Sequence, residues 1–140
     1  MMNIDIYTDG SCIGNPGPGG WAAIINVDGV EYEISGNEPD TTNNRMEMMA
    51  MIEALNWLKD RLDRLDNFNN AKITIYSDSN LIVKTLTDGW KRKANLDLWE
   101  KIDKVRGFAN IRWVWVKAHA NNKTNNRVDE LAQKEARRLI

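Results

Sequence analysis

At 140 residues, 42% of them hydrophobic, the chain is long enough to bury a core and short enough to need only one domain, so a single folded unit over residues 1–140 is expected. No stretch approaches the roughly 18 consecutive apolar residues that span a bilayer, and Met1-Met2-Asn3-Ile4-Asp5 lacks the basic and apolar regions of a secretion signal, so no membrane partner and a cytoplasmic location are expected. Cys12 is the single cysteine, which excludes an intrachain disulfide and gives no thiolate cluster for a metal. Nineteen basic against twenty acidic residues give a net charge of −1, which argues against a protein that grips nucleic acid by bulk charge; any grip has to be local, as at Lys91-Arg92-Lys93.

Along the chain, Ile4-Asp5-Ile6-Tyr7-Thr8 alternates as a strand and stops at Asp9-Gly10. The stretch from Gly14 to Gly20, with two prolines among its glycines, reads as a loop. Trp21 to Val27 and Val30 to Ser35 flank Asp28-Gly29, a pair suited to a tight hairpin turn. From Met46 to Leu62 apolar residues recur at helical spacing. A short β-branched strand follows over Lys72 to Tyr76, then helices over Ser79 to Leu86 and Leu96 to Val105, a strand over Ile111 to Val116, and a last helix from Asn125 to Leu139. A meander of three strands followed by strand and helix alternation implies an α/β fold, with a mixed five-stranded sheet and packed helices.

Four acids sit at element boundaries, and each has an ordinary reading. Asp9 can form a turn, Glu47 can complete a capping box with Asn44, Asp78 can cap the helix after it, and Asp129 can complement a helix dipole. Together they mean more. Asp9 and Asp78 end the first and fourth strands, and Glu47 and Asp129 lie near helix starts, so adjacent parallel pairing of those two strands would make all four converge. Clustered carboxylates repel unless cations compensate, and hard oxygen ligands suit Mg²⁺ or Mn²⁺.

Tyr7-Thr8-Asp9-Gly10-Ser11-Cys12 with Gly14-Asn15-Pro16-Gly17-Pro18-Gly19-Gly20, then Thr41-Thr42-Asn43-Asn44-Arg45-Met46-Glu47, Ser77-Asp78-Ser79, Trp115-Val116-Lys117-Ala118-His119 and Asp129-Glu130-Leu131-Ala132, resemble in order the signatures of the type 1 ribonuclease H family. The resemblance implies a ribonuclease H-like fold with helices on both faces of the sheet. It also implies an endonuclease that hydrolyses the RNA strand of RNA/DNA hybrids and leaves 5′-phosphate and 3′-hydroxyl ends. It further implies two Mg²⁺ ions, or Mn²⁺ in their place, on Asp9, Glu47, Asp78 and Asp129. His119, the single histidine, falls where the family carries a histidine loop that assists water activation or product departure.

Substrate contacts by the same resemblance are Gly10, Ser11, Cys12, Asn15, Asn43, Asn44 and Asn80, with Thr42 and Asn95 at a pocket for a DNA-strand phosphate and Trp90 beside the basic run. Three departures stand out. Asn80 stands where a Gln is common, and Asp40 where an Arg often contributes. The interval between Asp78 and Asn95 is too short for the extra helix and basic protrusion of some relatives, so a compact form with a weaker, salt-sensitive hold on hybrid is expected. The other tryptophans, Trp21, Trp57, Trp99, Trp113 and Trp115, read as packing residues. An RNA/DNA hybrid is the expected partner, and a monomer the expected state.

Overall fold

The computed structural model describes residues 2–62, 71–117 and 122–140. In chain order the elements are β1 (Asn3–Cys12), β2 (Gly17–Val27), β3 (Val30–Thr41), α1 (Asn43–Leu62), β4 (Lys72–Ser77), α2 (Asn80–Asp88), α3 (Leu96–Arg106), β5 (Ile111–Trp115) and α4 (Lys123–Arg137). The sheet order is β3-β2-β1-β4-β5. The first three strands are an antiparallel meander, while β1 pairs with β4, and β4 with β5, in parallel. The expected mixed sheet is present, with β1 at its centre.

The hairpin turn works as its residues allow: Asp28 and Gly29 both take positive φ, 49° and 94°, a pair that matches strand twist. On one face of the sheet, Ile4 and Ile6 of β1 and Ile73 and Ile75 of β4 meet Met48, Met51, Leu55 and Leu58 of α1 and Ile102 of α3. Buried positions recur on α1 because it lies between the sheet and α3. On the other face Ala22 and Ile24 of β2 meet Val128 and Ala132 of α4. Helices therefore cover both faces, and the small alanines let α4 lie close.

The expected loop over Gly14 to Gly20 is shorter than its composition suggests, because β2 begins at Gly17. A Cβ on Gly20 would stand 2.2 Å from the Ala132 carbonyl oxygen and 2.5 Å from the Ala136 nitrogen, so glycine is there to admit the backbone of α4. The register shift between Gly17 and Gly19 absorbs Pro18, which has no N–H to give to a ladder.

Candidate active site

The C-terminal parts of the neighbouring parallel strands β1 and β4 meet the start of α1. Asp9 lies within β1, opposite Ala22 of β2, and is 2% exposed. Its Oδ1 accepts a 2.9 Å hydrogen bond from the Gly10 amide, while its buried Oδ2 finds no hydrogen-bond partner among the described residues. Glu47 arrives in the second turn of α1, because α1 packs directly on Gly10, where a Cβ would fall 2.3 Å from the Glu47 nitrogen. Glu47 is 8% exposed and its Oε2 likewise finds no hydrogen-bond partner among the described residues. Asp78, half-buried, follows the last residue of β4. One carboxylate oxygen from each of Asp9, Glu47 and Asp78 lies within 4.8 Å of the others.

Asp129, on α4, stands outside this group of three among the described residues. It is close enough to Asp9 to raise that group's proton affinity, and its Oδ2 accepts from Gln133 Nε2 at 3.1 Å. Burial pushes the Asp9 carboxyl up to about 8, the charge of Asp78 and the neighbouring Asp129 push the same way, and bonds from Glu47 and Gly10 pull back. Burial, followed by the charges of Asp9 and Asp78, holds Glu47 well above the ordinary carboxylate range. Two buried acids with orphaned oxygens beside a third carboxylate suit a hard cation, which would satisfy the oxygens and displace the protons.

The ordinary readings of the acids give way to other residues. Thr42 Oγ1 accepts from the Arg45 amide at 3.3 Å, so the capping role offered to Glu47 and Asn44 falls to Thr42. Ser79 caps α2 by accepting from the Ile82 amide at 3.3 Å, so Asp78 is not that helix's cap. His119 lies outside the described residues.

The substrate residues divide around the acids. Gly10 and Ser11 continue β1 beyond Asp9, opposite Trp21 and Gly20. The Cys12 thiol faces the carbonyls of Gly17 and Thr41 at 3.4 and 3.3 Å. Asn15, Asn43, Asn44 and Asn80 are exposed, and Asn15 Oδ1 accepts from the Asn43 amide at 2.9 Å, tying the loop after β1 to the start of α1. Farther out, Asn44, Trp90, Lys91, Lys93 and Asn95 line a cleft of about 440 Å³ floored by Trp99. Only residues 89–95 separate α2 from α3, so no additional helix stands there.

Arg92 lines the cleft with Lys91 and Lys93, and it is held there by Asp103, whose Oδ1 its Nη2 reaches at 2.9 Å, and by the Trp99 ring under its guanidinium. Trp115 is not a packing residue, because it is 47% exposed and its indole N–H donates to the Asp78 carbonyl at 3.1 Å. Trp57 packs against the core as expected, partly buried, with the Arg61 guanidinium 4.3 Å from its ring centre.

Arg45 was overlooked. Its Nη1 donates to Asn95 Oδ1 at 3.2 Å, and it forms a two-pronged pair with Asp97, whose carboxyl it holds down to about 2, so a guanidinium stands beside Thr42 and Asn95. Its place three residues after Thr42, on the first turn of a helix, was the only signal.

A family model described as RNase H matches residues 2–137. The chain is similar to a protein named ribonuclease H from Francisella philomiragia, 45% identical over 94% of this chain and 90% of that one. It is also similar to one of the same name from Francisella tularensis subsp. novicida, 44% identical over 96% and 91%. Among solved structures it resembles LC11-RNase H1 in complex with an RNA/DNA hybrid, with TM-score 0.82, 30% identity, and coverage of 96% of this chain and 97% of that one. The same protein is described elsewhere as isolated from compost by a metagenomic approach. The N-terminal RNase H domain of rv2228c from Mycobacterium tuberculosis, at 23% identity and TM-score 0.83, shares the fold. With relatives matched over nearly their whole length and a sheet of the same build, the chain belongs to the ribonuclease H family and is an enzyme of that hydrolase class.

Proposed function

We propose that the protein cuts the RNA strand of RNA/DNA hybrids internally, by hydrolysis, leaving a 5′-phosphate and a 3′-hydroxyl. The observation that carries the reading is the cluster of Asp9, Glu47 and Asp78, with two buried oxygens that lack hydrogen-bond partners among the described residues. The hybrid held by LC11-RNase H1 supports the substrate. Asp9, Glu47, Asp78 and Asp129 would hold two divalent cations, Mg²⁺ or Mn²⁺. Such ions, when bound, supply an activated water and offset charge on the leaving oxygen.

The chain's own groups do the rest. Asp9 and Glu47, fixed in a strand and a helix that touch at Gly10, keep the ligand oxygens in place without substrate. Asn15, Asn43, Asn44 and Asn80 form an exposed rim of amides, each able to donate to and accept from a 2′-hydroxyl, the group that marks the RNA strand. Thr42 and Asn95 receive a DNA-strand phosphate, with Arg45 holding Asn95 in place. Trp90 offers a ring face to a sugar or base while Lys91 and Lys93 meet phosphates. We assign His119 to helping the attacking water or the departing product, and we read the enzyme as a cytoplasmic monomer.

Incubation with Mg²⁺ and a matched set of hybrid, duplex DNA, duplex RNA and single strands tests the reading. Cleavage confined to the RNA of the hybrid is expected, and equal cutting of all the substrates would overturn it.

A further inference from the structure

We propose that Trp115 is a positioning residue for Asp78, and through Asp78 sets how tightly the acidic cluster takes a divalent cation. The inference rests on the reading of that cluster as a metal site. Asp9 is held inside a strand paired with β2, and Glu47 inside a helix seated on Gly10. Asp78 lies in neither a strand nor a helix. It occupies the two-residue link between Ser77, where β4 ends, and Asn80, where α2 begins, and it is the least buried of the three.

Past the end of the ladder, the Asp78 carbonyl takes the indole N–H of Trp115 at 3.1 Å. The carbonyl just before it, that of Ser77, takes the amide of Val116 at 2.9 Å. Two successive carbonyls are thus fastened to β5 at the point where the chain leaves the sheet. Turning the peptide plane after Asp78 would swing its carboxylate relative to Asp9 and Glu47, and the indole bond opposes that turn.

Packing does not account for Trp115 as it does for Trp113. The two alternate onto the same face of β5, yet Trp113 is 8% exposed and belongs to the core, whereas Trp115 is 47% exposed. A strand-end position that needed only an apolar side chain would be served by Phe or Leu. Neither has a donor.

Mn²⁺ binding to the substrate-free protein, followed by the loss of the free-ion paramagnetic signal well below each melting temperature, tests this for the parent, Asp78→Asn, Trp115→Phe and Trp115→Ala. The parent should bind, and Asp78→Asn should bind far more weakly. Trp115→Phe, which keeps a flat apolar side chain without the donor, should weaken binding about fivefold, as expected for one lost neutral hydrogen bond, with its melting temperature unchanged. In the hybrid assay the Mn²⁺ concentration for half-maximal rate should rise by the same factor, with KM for hybrid at saturating Mn²⁺ unaltered. Parent-like Mn²⁺ affinity in Trp115→Phe overturns the inference and leaves the metal reading standing, whatever Trp115→Ala does. Absence of Mn²⁺ binding by the parent, or parent-like binding by Asp78→Asn, overturns both.

Discussion

Asp9 and Glu47 face each other with raised proton affinities, and Asp78 adds charge to both. Replacing Asp78 by Asn removes a ligand and a repulsion together. Cleavage by Asp78→Asn should fall by at least about a thousandfold, a loss typical of deleting a group that offsets transition-state charge, while the metal-free protein melts no lower than the parent. Hybrid cleavage and thermal melting in chelator check the two halves. The pH dependence follows from the same groups. Their folded proton affinity exceeds that of the unfolded chain, so their contribution to stability is complete below the ordinary carboxylate range and is lost as pH rises through the folded value, about 8 for Asp9. Without metal the melting temperature should therefore decline between about pH 5 and about pH 8, and Mg²⁺ should flatten the decline by taking the place of the protons. Melting curves in chelator and in Mg²⁺ across that range decide it. At this scale the acids were legible in the sequence because each sits in a short local signature. Arg45 and Trp115 were not, because what defines them is a partner brought by the fold, Asn95 and Asp97 for one and the Asp78 carbonyl for the other.

Among the elements, α4 depends on β2 for its seat. Gly20 lies under the backbone of α4, so Gly20→Ala forces a strand and a helix apart instead of moving a flexible side chain. A loss of about 3 kcal/mol is expected, at the high end for overpacking. Activity should fall as well, because α4 carries Asp129. Denaturant unfolding and the hybrid assay measure both. The same contact explains why the loop was read too long. Glycine and proline between Gly14 and Gly20 argue locally against a strand, and the reason for Gly20, a helix more than a hundred residues later in the chain, is invisible to any local pattern. Most other elements were legible because their periodicity is unbroken. Ile4 and Ile6 alternate, and Met48, Met51, Leu55 and Leu58 keep a helical stripe. Their ends moved by a few residues, as with β1, which runs on to Cys12 through pairing with β2 that has no counterpart in side-chain alternation.

For the molecule as a whole, a net charge of −1 leaves hybrid binding to a few placed cations. Arg92 is engaged with Asp103 and Arg45 with Asp97, which leaves Lys91 and Lys93 as the cleft's lysines. The logarithm of KM should then rise with the logarithm of salt concentration with a slope of about 2, and Lys91→Ala or Lys93→Ala should each lower it by about 1, since each phosphate neutralised contributes about 0.9. A salt titration of KM measures this. The parallel pairing of β1 with β4, Ile4 beside Ile73 through Tyr7 beside Tyr76, joins parts of the chain far apart in sequence. The carboxylate cluster is complete only once that pairing has closed. A divalent ion should accordingly act as a latch fitted after assembly: in stopped-flow experiments Mg²⁺ should slow unfolding and leave the refolding rate unchanged, and the lifetime of the native sheet becomes a quantity that the surrounding metal concentration sets.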